Sequence, residues 1–290
     1  DCELSRGLGD VYKRQIQMQK KLLLIIPILF FLNINELKVI SYNIRYNNSN
    51  DGINIWENRR STIKNFIVDE NPDFAGLQEV TYSQLIFLTK SLKDYDYIGV
   101  GRDDGKTKGE FSPIFYNKNK YKVLTNDTFW LSSTPEKVSI GWDASMERIC
   151  TYGLFENLDT KDRLWVFNTH FDHIGNHARE KSTDLILNKI NSIKSKDIPV
   201  ILTGDFNLND DNFSIKKIQK QLKDVLINIK KTDLNYETYN GFKNLVKSKR
   251  RIDYIFTRNL EVKEAKHVYI KTPYGGWASD HHPVLSLLKY

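Results

Sequence analysis

Six short strings carry most of the residues in this chain able to do chemistry. They are Ser-Tyr-Asn at 41–43, Gln-Glu-Val at 78–80, Asn-Thr-His-Phe-Asp at 168–172, Gly-Asp-Phe-Asn at 204–207, Arg-Ile-Asp-Tyr at 251–254 and Ser-Asp-His at 279–281. Each sets an Asn, Asp, Glu or His just after an apolar, β-prone run. Residues at strand ends converge on one rim of a sheet. A rim of carboxylates, amides and imidazoles suits a hard divalent cation and a phosphate ester. The chemistry this implies is hydrolysis of a phosphodiester or phosphomonoester. Glu79 is the foremost metal ligand, because it follows the apolar run Phe74–Leu77 and Mg2+ takes one or two protein carboxylates. Asp205 and Asn207 lie two apart after Gly204, so extended backbone aims both the same way.

The elements that must position these residues are legible as periodicities. Alternating or short buried runs predict strands over 37–43, 74–78, 95–100, 111–116, 121–131, 150–156, 164–169, 199–203, 251–257, 262–270 and 283–288. Helical spacing predicts helices over 58–70, 82–92, 179–193 and 213–222. Strands and helices alternate irregularly, and many neighbouring strands read as hairpins. That favours an α/β protein of two packed mixed sheets with helices outside.

The chain has 290 residues, no Pro/Gly/Ser-rich linker and no repeat, which reads as one catalytic domain over 36–290. Residues 1–17 read as non-native read-through, with Met18 the first plausible start. Residues 18–35, with Lys20, Lys21 and the apolar run Leu22–Leu32, read as a secretory signal, an uncleaved anchor being the alternative. Export to a periplasmic or extracellular location is therefore expected. Cys150 is the one cysteine beyond the N-terminal segment, so no disulfide and no cysteine zinc site is expected there. The formal charge of +7 weakly favours a polyanionic substrate.

The six strings, in this order and spacing, resemble the endonuclease/exonuclease/phosphatase superfamily, which includes deoxyribonuclease I, abasic-site endonucleases, deadenylases and bacterial sphingomyelinases. The resemblance spans about residues 37–290. It implies a four-layer α/β/β/α sandwich like deoxyribonuclease I, with Mg2+ or Mn2+ as cofactor. It implies Asn43, through its side-chain oxygen, and Asp280 beside Glu79 at the metal. Asp205 would orient or deprotonate the attacking water, and Asn207 would donate its amide to a phosphoryl oxygen. Asp253 would partner His281, and either Asp205 or His281 would be the general base. His170 would contact the phosphate or protonate the leaving oxygen, hydrogen-bonded to Glu110. Arg45 would reach the substrate phosphate with its planar fork. Arg102 is a second such residue. Asp172 would orient His170 or pair with Arg179, and Arg148 and Arg179 would line the cleft or form structural salt bridges. Trp142 and Trp277 are further contacts, whereas Trp130 reads as core.

The resemblance carries the reaction type more firmly than the substrate. Nucleic acid is the leading expectation, with 3'-5' exonuclease action as one form of it. Lipid head groups or small phosphorylated metabolites are the second. An inactive binding protein would need a site residue missing, and none is. No obligate protein partner is evident, and a monomer is expected.

Overall fold

The computed structural model describes residues 36–193, 197–243 and 249–290. The segments read above as read-through (1–17) and signal (18–35) lie outside the described residues. Among the described residues no helix is long and apolar enough to cross a membrane.

Among the described residues twelve strands form two sheets. The first contains β1 (Glu36–Asn43), β2 (Phe74–Gln78), β3 (Tyr95–Ile98), β4 (Ile114–Asn117), β11 (Glu261–His267) and β12 (Val284–Lys289). Its order is β11-β12-β1-β2-β4-β3. The second contains β5 (Tyr121–Trp130), β6 (Ile149–Asn157), β7 (Arg163–His170), β8 (Val200–Asp205), β9 (Lys223–Asp224) and β10 (Asp253–Arg258). Its order is β5-β6-β7-β8-β10-β9. Each sheet is mixed, with one parallel pair at its centre, β1 beside β2 and β7 beside β8.

Among the described residues four α-helices accompany the sheets: α1 (Trp56–Glu70), α2 (Tyr82–Ser91), α3 (Asn176–Ser192) and α4 (Phe213–Gln219). Period-2 alternation sends successive strand residues to opposite faces. Leu37 and Val39 of β1 meet Leu164, Val166, Ile201 and Ile255 between the sheets. Ile40 and Tyr42 of the same strand face outward and pack on Ile63, Phe66 and Ile67 of α1 and Leu85 of α2. Leu202 and Phe256 face outward on the second sheet and pack on Ile186 and Ile190 of α3 and Ile215 of α4. This is the expected α/β/β/α sandwich.

Local sequence sets the boundaries. Asn71, in the left-handed conformation at φ 45°, ends α1 ahead of Pro72. Thr81 and Gln84 make a capping box at the start of α2. β4 begins after Pro113, which has no N–H to pair, rather than at Phe111 as the hydrophobic pattern suggests. The strand expected over 262–270 stops at His267, and the two-residue β9 was not foreseen.

Candidate active site

Each central strand has an apolar end and a polar end on its inner face. Leu37 and Val39 give way to Ser41 and Asn43; Leu164 and Val166 to Asn168 and His170; Ile201 to Thr203 and Asp205; Ile255 to Asp253. The polar ends coincide, and there the sandwich opens into a cavity of about 530 Å3. Its lining includes Arg45, Glu79, Arg102, Glu110, His170, Asp205, Asn207, Asp280 and His281. Arg45, Glu79 and Asn207 lie just past strands at φ 57°, 61° and 51°. Left-handed backbone is costly for Arg and Glu, and such strain gathers at functional sites.

His281 and Asp253 form a buried dyad, Nδ1 to Oδ2 2.9 Å, as expected. Burial pulls the His281 imidazole down, but Asp253 and Asp205 outweigh it and hold the ring well above its usual range. Nε2 faces Asp205 Oδ2 at 3.7 Å. Burial and the Asp253 charge push Asp205 up to about 7. Ser279 places this segment by donating to Asn43 O at 2.7 Å, and the Asn207 N–H donates to Asp205 Oδ1 at 2.9 Å.

Two sets of side chains suit a cation. Asp205, Asp253 and His281 are buried and bring one ligand atom each within 4.8 Å of one another, so this group could hold a metal ion. The other set is all oxygen. Arg45 Nη1 lies 4.0 Å from Glu79 Oε2 and 3.7 Å from Asp280 Oδ2, so both carboxylates face one point. Burial and the Glu79 charge raise the Asp280 carboxyl, a repulsion that a divalent cation relieves. Oxygen donors of this kind fit Mg2+ or Mn2+.

The Asn43 amide is turned differently from expectation. Its Oδ1 accepts the Arg45 N–H at 3.0 Å, while Nδ2 donates to Glu79 Oε1 at 2.9 Å and Asp205 Oδ2 at 3.0 Å. Two buried carboxylates take the available donor.

His170 and Glu110 are neighbours without the expected hydrogen bond. Nδ1 and Oε2 stand 3.8 Å apart. Glu110 instead accepts both Arg102 nitrogens, at 2.8 and 3.2 Å, because a planar guanidinium matches a carboxylate better than an imidazole does. Arg102 thus reaches the cavity already paired. Burial, then Arg148 and Arg102, keep the His170 imidazole well below its usual range, hence neutral. Asn207 Nδ2 is directed at Phe171 O (3.0 Å) and His170 Nε2 (3.2 Å), so a phosphoryl oxygen must displace His170 to take that proton.

Asp172 and Arg179 do not line the cavity. Asp172 accepts from Ser145 N (3.1 Å), Ser145 Oγ (2.7 Å), Ile174 N (2.9 Å), Gly175 N (2.7 Å) and Arg148 Nε (3.4 Å). Burial opposes these donors, which prevail and hold its carboxyl below the usual range. Arg179 donates to Asp172 O at 2.8 Å and to Asn176 Oδ1. Both are loop clamps rather than substrate contacts. Arg45 is also held, by two 3.0 Å bonds to Asp51, leaving Nη1 toward the cavity. Trp130 is buried and donates to Arg102 O at 2.7 Å. Arg148 lines the cavity and also pairs with Asp172, whereas Trp142 and Trp277 lie outside the lining, which gains Tyr46, Met146, His173, Tyr239, Arg250 and Ile252. Of these, Ile252 lies within a string already singled out and Arg250 flanks it; no local signal marks the rest.

Fold and site together define a phosphoesterase. The family model described as "Endonuclease/Exonuclease/phosphatase family" matches residues 40–281, and the chain belongs to that family. It is a hydrolase acting on phosphate esters. The mannosyl-6-phosphatase of Bacteroides thetaiotaomicron is 37% identical, with a TM-score of 0.82 over 88% of this chain and 100% of that one. A Bacteroides vulgatus protein of the same family is 38% identical, with a TM-score of 0.81 over 88% and 98%. An uncharacterised protein of Acanthamoeba polyphaga mimivirus is 35% identical over 162 residues, 53% of this chain; the match spans 60% of that curated relative.

Proposed function

We propose that this protein is a Mg2+- or Mn2+-dependent phosphatase of small polyhydroxylated phosphate esters, hexose phosphates among them. The character of the cavity carries this reading. Its volume of about 530 Å3 lies in the range of small-molecule sites. The lining holds four arginines and three histidines but only two aromatic residues, Tyr46 and Tyr239. Both are covered by guanidinium groups, Arg45 at 4.4 Å and Arg250 at 4.5 Å. Single-stranded nucleic acid is held by open aromatic faces in series, whereas a sugar phosphate needs donors and acceptors. The 37% identity to a mannosyl-6-phosphatase supports the same reading.

The residues divide the work as follows. Arg148 Nη1, buried and unpartnered on the cavity wall, and Arg45 Nη1 receive phosphoryl oxygens. Asp205 takes the proton of the attacking water. His281, kept cationic by Asp253, offers its Nε2 proton to charge that develops on phosphorus-bound oxygen. Glu79 and Asp280 would hold the metal, which supplies Lewis-acid polarisation of the phosphoryl group, and the Asn43 amide holds Glu79 in place.

The test compares phosphate release from mannose 6-phosphate with cleavage of a single-stranded DNA oligonucleotide by the purified protein in Mn2+. Turnover of the sugar phosphate with an intact oligonucleotide supports the proposal. Cleavage of the oligonucleotide with no sugar phosphate turnover overturns it in favour of the nuclease reading.

A further inference from the structure

The residues proposed to act on substrate come from two sheets. Asn43, Glu79 and Asp280 lie at the ends of β1 and β2 and just before β12, all in the first sheet. His170, Asp205, Asn207 and Asp253 belong to or follow β7, β8 and β10 of the second. The Asp253–His281 dyad and the 3.0 Å Asn43–Asp205 bond both cross the gap between sheets. Something must hold the two half-sites in register at the one end of the sandwich where apolar packing gives out.

Directly beneath the site, the Asn168 side chain of β7 reaches across. Its Nδ2 donates to Leu77 O at 2.7 Å and Pro113 O at 2.9 Å, both on the first sheet's side. Its Oδ1 accepts from Gln78 Nε2 at 2.7 Å and lies 2.9 Å from Thr203 Oγ. All four hydrogen-bonding positions of the amide are used, and the residue is fully buried. Gly204 N donates to Ser41 Oγ at 3.0 Å, a second tie between the sheets. Gly76 makes room for this layer: a Cβ there would stand 2.1 Å from Thr203 Oγ and 2.7 Å from Asn168 Oδ1.

We infer that Asn168 is a positioning residue, a clamp between the sheets that sets the alignment of the first-sheet metal half-site with the acid–base residues of the second. Its hydrogen-bond partner Gln78 immediately precedes Glu79, and Asn168 itself lies two residues before His170, so a shift here passes to both halves. The inference rests on the metal half-site proposed above. Misplacement of reacting groups by about 1 Å costs on the order of 100-fold in rate. Both metal-holding carboxylates lie on one side of the clamp, so loosening it separates turnover from metal binding.

The experiment measures three quantities on Asn168→Ala and Gly76→Ala: thermal unfolding, Mn2+ affinity by electron paramagnetic resonance, and steady-state kinetics with p-nitrophenyl phosphate. The expected result is folded protein with Mn2+ affinity within about twofold of wild type, nearly unchanged KM and kcat lower by about 100-fold. Should either variant fail to fold, Thr203→Val removes only one partner of the amide and should show the same split at about tenfold. Turnover within about threefold of wild type overturns the clamp. So does a loss of kcat matched by an equal loss of Mn2+ affinity, which marks general collapse. Mn2+ binding that Glu79→Gln leaves intact overturns the metal half-site instead, and the kcat comparison still decides the clamp.

Discussion

Replacing Asp253 by Asn should disable the His281 dyad while leaving its shape. Asp253 Oδ2 lies 2.9 Å from His281 Nδ1, and the two side chains are 0% and 5% exposed. The other carboxylate oxygen, Oδ1, is buried with no partner. An amide NH2 turned to that side would be a buried donor with nothing to bond, at a cost of about 1–3 kcal/mol. The amide therefore turns its NH2 toward Nδ1. That leaves the ring neutral with its proton on Nε2 and removes the carboxylate that holds it cationic, so the donor keeps its place but loses the charge the proposed role needs. General acid–base contributions run from about 100- to 10,000-fold. We expect kcat to fall by about 100- to 10,000-fold, or about 2.7–5.4 kcal/mol of transition-state stabilisation. The assay is steady-state hydrolysis of p-nitrophenyl phosphate at saturating Mn2+, with His281→Ala and the double variant alongside. Because the pair acts as a unit, the double variant should match His281→Ala within about threefold. A single-variant loss below about tenfold, or a double variant whose loss is the product of the two singles, refutes the reasoning.

Further outcomes follow from the same geometry. Arg251 and Asp224 form a buried pair at 2.6 and 2.9 Å, so Arg251→Met should strand the carboxylate and cost about 3–5 kcal/mol in urea unfolding; a change below about 1 kcal/mol contradicts this. Burial pushes the His267 imidazole down to about 4, with Nδ1 2.7 Å from Asn235 O. An unfolded histidine, near 6.5, binds a proton that the folded state refuses until about pH 4, so stability is full above about pH 6.5 and falls by up to about 3 kcal/mol toward pH 4. His267→Asn should flatten that slope, and unfolding curves with the same pH dependence as wild type would show the group is not responsible. Asp172→Ala frees Arg148 and the loop over 143–148, and should raise KM about tenfold with a smaller effect on kcat; a change confined to kcat would place Asp172 in the chemistry instead.

The site was legible where side-chain direction follows from strand periodicity. Asp205 and His170 end strands whose inner face starts with Ile201 and Val166, and Asp253 begins a strand whose next inward residue is Ile255. Alternation alone carries the eye from core to rim. Glu79 lies one residue past β2, and His281 lies three residues before β12, where a bridge to Tyr239 and Ser279 anchor it. Partner choice was not legible. Glu110 had two suitors, Arg102 eight residues away in sequence and His170 on another strand, and the closer, better-matched guanidinium won. Asp172 read as a site residue because it follows His170, yet the turn after β7 points it at Ser145 and the N-terminal end of α3. Tyr239 and Arg250 come from loops with no periodicity to read. Asn168 was visible in its string, but its role depends on Leu77 and Pro113, 91 and 55 residues away.

The measurement closest to the central claim is phosphate release from mannose 6-phosphate by wild type and Glu79→Gln, each with Mn2+ and with EDTA. The account predicts turnover in wild type with Mn2+, none with EDTA, and loss of both turnover and Mn2+ binding in Glu79→Gln. Turnover that survives EDTA, or a Glu79→Gln protein that binds Mn2+ and works as wild type does, would contradict it.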